Sequence, residues 1–165
     1  MVRDMDRAAR AIEQWRRERP DLDVSPMAVL GRLSEAAFLV SRDRLAPVFA
    51  RFGLQPGEFD VLATLRRSGA PHALTPTALY EATMVTSGAM TNRLDRLEKA
   101  GLIQRAPNPA DRRGVVVQLT AKGLALVDDT LVAHLANEHE ILSGLTPDER
   151  ETLAGLLGKL IGSLR

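Results

Sequence analysis

TPTALYEATMVTSGAMTNRLDRLEKAGLIQRAPNPADRRGVVVQLT, residues Thr75–Thr120, is the stretch on which the fold turns. Thr75 before Pro76 supplies an N-cap hydroxyl and a proline at the first helical position, so a short helix is predicted over Thr77–Ala82. The run Thr83-Met84-Val85-Thr86, rich in β-branched residues, ends it. Ser87 then opens a second helix, which Gly101 closes through its access to positive φ. Met90, Leu94 and Leu97 recur at helical spacing and form one apolar stripe. Thr91, Asn92 and Arg96 project from the other side, behind a tip made of the small residues Ser87, Gly88 and Ala89. Such a helix suits a DNA major groove, where Asn and Arg address base edges bidentately.

Downstream, Ile103-Gln104-Arg105 and Val115–Leu119 are β-prone runs around the loop APNPADRRG, which predicts a two-stranded hairpin. Asn108 lies in that loop, and Arg112 and Arg113 stand at its far end. Helix, helix and basic hairpin predict a mainly α fold with a small β-hairpin wing, a winged helix-turn-helix.

Two phrases carry a family resemblance. Asp111-Arg112-Arg113 leading through a β run to Leu119-Thr120 resembles the wing signature of the MarR family of bacterial transcription regulators. TSGAMTNRLDRLEKAGLI resembles that family's recognition helix nearly throughout. The resemblance implies that Arg113 enters a minor groove, braced by Asp111, which accords with the attraction of a narrow groove for arginine. A structural alternative has Asp111 and Arg113 simply tying the hairpin together. On the resemblance, DNA contacts are expected from Thr75, Ser87, Ala89, Thr91, Asn92, Arg96, Asn108, Asp111, Arg112 and Arg113.

The 165 residues predict one domain: N-terminal helices over 4–52, a winged-helix lobe over 56–119 and C-terminal helices over 120–165. Apolar content of 45% and charge of 26% are ordinary for a globular chain, while 4% aromatics demand an aliphatic core. The net charge of +1 names no polyanion, but Arg93, Arg96, Arg105, Arg112 and Arg113 concentrate basic charge in the candidate DNA-binding unit. The lack of cysteine excludes disulfides, thiolate metal sites and thiol redox sensing. The charged N-terminal segment has no signal-peptide core, and no window approaches the ~18 apolar residues of a membrane span, so a cytoplasmic protein without membrane contact is expected.

In chain order, Asp4–Arg19 predicts a helix with Ala8, Ile12 and Trp15 on one side. Trp15 either packs on the body or walls a pocket. Ser25-Pro26 starts a long helix, apolar on several faces, that Pro47 kinks or breaks. Gln55-Pro56 starts the supporting helix, with Phe59, Val61, Leu62 and Leu65 flanking Asp60, and the loop 70–74 follows. Thr120 caps a long helix whose His134 and His139, five apart, are read as solvated rather than metal-binding. No metal or cofactor is expected. Thr146-Pro147-Asp148-Glu149 is a capping box ahead of an apolar stripe from Leu153 to Leu164. Helices this apolar at both ends predict a homodimer. The family resemblance agrees and implies a pseudo-palindromic site with half-sites ~10 bp apart.

Trp15, Asp60, Arg93 and Arg105 form a candidate effector site. Asp60, between apolar neighbours, needs a partner, and Arg93 on the recognition helix is the available one. Arg105, in the strand leaving that helix, is expected to reach the same cleft. The four positions match a urate-responsive subgroup of the family marked by an added N-terminal helix bearing a tryptophan. That resemblance implies a repressor in which an anionic ligand displaces Asp60 and, through Arg93, tilts the recognition helix. Alternatives are a regulator answering to a phenolic acid or small carboxylate, or a winged-helix module that binds protein. An enzyme is not expected, since no nucleophile–base motif, phosphate loop or metal cluster is present.

Overall fold

The computed structural model describes residues 6–55, 57–83, 90–109 and 111–165, with the side chains of Arg112 and Arg113 outside the described set. The chain divides into two compact units, Met1–Leu45 and Ala46–Arg165.

In the first unit, α1 (Arg7–Glu18) starts where the Asp6 carboxylate accepts from the Ala9 amide at 2.8 Å. It buries Ala8 and Ile12. Its neighbour α2 (Met27–Leu39) approaches closely, because a β-carbon on Gly31 would lie 3.1 Å from that of Ala8. Arg32–Asp6 at 2.9 Å and Arg7–Glu35 at 3.3 Å flank that contact. Ser25 does not cap α2 as expected: its hydroxyl donates to Asp23 at 3.0 Å, and the cap position falls to Pro26. Of the kink or break expected at Pro47, the chain shows a break. A π-helical turn, Val40–Leu45, ends α2, and a separate short helix α3 (Ala46–Arg51) belongs to the second unit. Proline is tolerated in a first turn, where its missing N–H leaves no vacancy in the ladder, and Pro47 occupies that place in α3.

The second unit continues with α4 (Glu58–Arg67), β1 (Ala73–Leu74), α5 (Pro76–Ala82), α6 (Met90–Lys99), β2 (Ile103–Asn108), β3 (Asp111–Leu119), α7 (Ala121–Ile141) and α8 (Pro147–Ser163). Leu62, Leu65, Leu79, Leu97, Ile103 and Val117 are fully buried and make its aliphatic core. The strands form one antiparallel sheet in the order β1-β3-β2. β1 was expected to be loop; it pairs Ala73 with Gln118 and Leu74 with Val117. The hairpin is longer than its β-prone runs predicted, extending through the Pro107–Val115 and Asn108–Asp111 pairs with an irregularity at Pro107/Asn108. An edge strand such as β2 tolerates proline, which has no amide to give the ladder.

Three threonines act as the sequence predicted. Thr75, Thr120 and Thr146 accept from the amides of Ala78, Gly123 and Glu149, at 3.2, 3.0 and 3.3 Å. His134 is not solvated. Its ring lies 4.8 Å from Phe59 and 5.5 Å from Phe49, with Nε2 3.1 Å from Glu138, so it serves as an aromatic filler where α7 meets α3 and α4. No helix among the described residues is long and apolar enough to cross a membrane.

Candidate nucleic-acid interface

Helix α6 is anchored by its inner stripe: Met90, Leu94 and Leu97 are all buried, as their spacing predicted. Thr91 and Asn92 are exposed on the outer side, and Arg96 is half exposed. The start expected at Ser87, with Ala89 in its first turn, lies outside the described residues.

The charged tie between α6 and its supporting helix differs from expectation. Asp60 has Arg67 of its own helix 3.9 Å away. Arg93 instead lays its guanidinium on the backbone of Gly57, where a β-carbon would come within 2.7–2.9 Å of Nε, Cζ and Nη2. Gly57 has φ +83°, a conformation that favours glycine, and any added side chain would also have to push the Arg93 guanidinium aside. The Nη1 of Arg93 is buried without a hydrogen-bond partner among the described residues.

Glu58 makes the tie. It is 2% exposed, its Oε1 accepts from Arg96 Nε at 2.8 Å, and its Oε2 accepts from the Gln55 amide at 2.7 Å. Sequence reasoning passed over Glu58. The available signal was Gln55-Pro56-Gly57-Glu58, with Glu placed to reach back three residues as in a capping box.

Arg105 is engaged elsewhere. Its Nη2 lies 2.6 Å from Asp95, its Nη1 pairs with Glu98, and its amide donates to Glu98 at 3.2 Å. The hydrogen bond to Asp95, above all, holds its guanidinium above the ordinary arginine value. Asp95 is two residues from Arg93, about 200° around the helix, so Arg105 grips the opposite flank of α6 from the side resting on Gly57. Trp15 belongs to the first unit, on α1, and is 46% exposed.

Thr75 spends its hydroxyl on the α5 cap. Asn108 closes β2 opposite Asp111, the first residue of β3, whose next two positions are Arg112 and Arg113.

The C-terminal end of α6 is fixed to α7. Gly101, at φ +70°, turns the chain out of the helix. The Thr120 hydroxyl then donates to the Gly101 carbonyl at 2.7 Å, and the Thr120 amide to the Leu102 carbonyl at 3.1 Å. Lys122 Nζ reaches the Ala100 carbonyl at 2.8 Å, placing a cation on the negative end of the α6 dipole. Gly123 passes so close that a β-carbon would stand 1.9 Å from the Leu102 oxygen.

Comparison with known proteins bears on this geometry. The MarR family model matches residues 52–114. Over 149 residues the chain is 47% identical to the HTH-type transcriptional regulator PecS of Dickeya dadantii (strain 3937), covering 90% of this chain and 89% of that protein. It is 36% identical over 123 residues to the multiple antibiotic resistance protein MarR of Escherichia coli (strain K12), covering 73% and 83%. A mutant of E. coli MarR solved in complex with operator DNA aligns with a TM-score of 0.71 at 32% identity, over 84% of this chain and 99% of that one. AbsC from Streptomyces coelicolor shares the fold at a TM-score of 0.77 and 23% identity, over 87% and 97%. From the sheet, the helix order and these relatives together, the chain belongs to the MarR family of winged-helix transcriptional regulators.

Proposed function

We propose that the chain binds operator DNA as a homodimer and acts as a repressor that a small anionic metabolite, urate or a close analogue, releases. The observation that carries the DNA reading is α6 itself. Its apolar side is buried, its Thr91-Asn92-Arg96 side faces outward, and both of its flanks are tied down. The relationship to MarR, whose structure with operator DNA is known, supports it. Each subunit presents one α6 and one wing, with Ser87, Ala89, Asn108, Asp111, Arg112 and Arg113 as the further contacts. The homodimer is supported by α8, which buries none of its residues and exposes Leu153, Leu156 and Ile161.

The effector reading rests on Arg93. A guanidinium nitrogen that is buried and unpartnered among the described residues is poised to take an anion. Displacing Arg93 from Gly57 moves α6 directly, so ligand and DNA compete through one side chain. Asp60 of α4 joins Arg93 in the proposed urate site. A second reading, a smaller carboxylate held by Arg93 alone, is favoured by the placement of Arg105 on the other flank, already neutralised by Asp95 and Glu98.

The test is a mobility-shift titration on a duplex selected by the protein from a random pool, with and without urate. Salt-sensitive retardation relieved by urate, with relief lost in Arg93→Ala, is the expected result. Retardation indifferent to urate but relieved by salicylate moves the effector to the second reading. Absence of any retarded species with folded dimer sinks the DNA reading.

A further inference from the structure

Among the described residues Glu58 is the buried carboxylate against α6, and the effector proposal leaves it unused. It sits in the first turn of α4 at 2% exposure, so its lone pairs depend on protein donors. One is the Gln55 amide and the other is Arg96 Nε. The side chain of Arg96 is 51% exposed, and among the described residues Nε–H is its hydrogen bond to protein, which leaves both Nη groups available.

From this arrangement we infer that Glu58 is a positioning residue for base recognition. It fixes the guanidinium of Arg96 by its Nε, so that the Nη edge is preset for a bidentate acceptor pair such as guanine O6 and N7. The inference rests on the DNA-binding reading above. An arginine tied to a buried carboxylate carries little net charge toward phosphate, and so adds little to counterion release. Its planar fork is retained, however, and now has fewer rotamers to lose on binding. Such a pair is poor at general attraction and good at discrimination. Asn92, one turn before Arg96 on the same side of α6, extends the same reading edge.

The experiment compares affinity for a duplex selected by the parent protein from a random pool with affinity for a scrambled duplex of equal length. Glu58→Gln and Arg96→Lys are each expected to reduce the selected-to-scrambled ratio about 5- to 150-fold, the worth of one bidentate base contact. Scrambled-duplex affinity and the salt slope should hold in Arg96→Lys and should hold or rise in Glu58→Gln, which uncovers the Arg96 charge, and the double variant should discriminate no worse than either single. Should Glu58→Gln fail to fold by circular dichroism, Glu58→Asp makes the same test, keeping the charge and withdrawing the acceptor by one methylene. Equal losses on both duplexes would reduce the pair to a structural tie. A salt slope lower by about one in Arg96→Gln would make Arg96 a phosphate contact, and additive losses would uncouple the two residues. Either result overturns the inference while leaving DNA binding intact. A parent protein that selects no duplex at all refutes the DNA reading itself.

Discussion

Gly101 and Gly123 look alike in the sequence and answer to different constraints. Gly101 adopts φ +70° in open space, so Gly101→Ala should cost about 1–2 kcal/mol, the penalty of a left-handed residue with a side chain. Gly123 has helical backbone, but an added β-carbon meets the Leu102 carbonyl at 1.9 Å. Gly123→Ala should therefore cost about 3 kcal/mol, the upper end for overpacking, because backbone rather than a side chain must yield. Urea denaturation of both variants checks the order. Asp128→Asn, which breaks the half-exposed pair with Arg66 at 2.7 Å, should shift stability by less than about 1 kcal/mol. The caps at Thr75, Thr120 and Thr146 were legible because a cap is a local matter of a hydroxyl and an amide three residues on. The choice of Glu58 over Asp60 as anchor was not. Both lie in one helical turn, and which of them faces α6 depends on packing that no local pattern encodes.

Among the elements, α8 gives the clearest expectation. Its start is held by the reciprocal bonds of Thr146 and Glu149, so Thr146→Ala should lower the melting temperature through a loss of about 1 kcal/mol. The Glu149 carboxyl lies below its ordinary value of 4.5, first because the Thr146 amide donates to it and then because the hydroxyl does. A carboxyl lowered on folding stabilises fully above its unfolded value and loses that contribution as pH falls through the folded one. Acidification below 4.5 should therefore loosen α8, and Glu149→Gln should flatten this part of the melting–pH curve. The periodic stripe of α6 and the long runs of α7 and α8 were readable because burial recurs at the helical period. Strand β1 was not, since two residues have no period and form a strand only because β3 offers an open edge. The π-helical turn before Pro47 was likewise hidden: proline announces a break, but not how the preceding turn widens.

At the scale of the molecule, apolar faces on α7 and α8 stand uncovered, Val132 being 71% exposed. Leu156→Asp, in the exposed row of α8, is expected to convert a dimer to a monomer in sedimentation velocity. Operator affinity should fall at least about 100-fold as the second half-site becomes a separate event. The uncovered apolar faces were legible in the stripes themselves. The proposed effector cluster was less so, because each residue of offset on α6 turns a side chain by about 100°. Arg93 and Arg105 look like neighbours in the chain and end on opposite flanks.

The joint between α6 and α7 gives the long helix the character of a boom. At 21 residues and 1.5 Å each, α7 is about 31 Å long, with the end of the recognition helix bolted to its tip through Thr120 and Lys122. A swing of about 10° about the far end carries that tip roughly 5 Å, about the pitch of one helical turn. In the proposed dimer, small readjustments where two subunits meet would thereby be magnified into a change of span between the paired α6 helices, and span is what a duplex of fixed pitch measures.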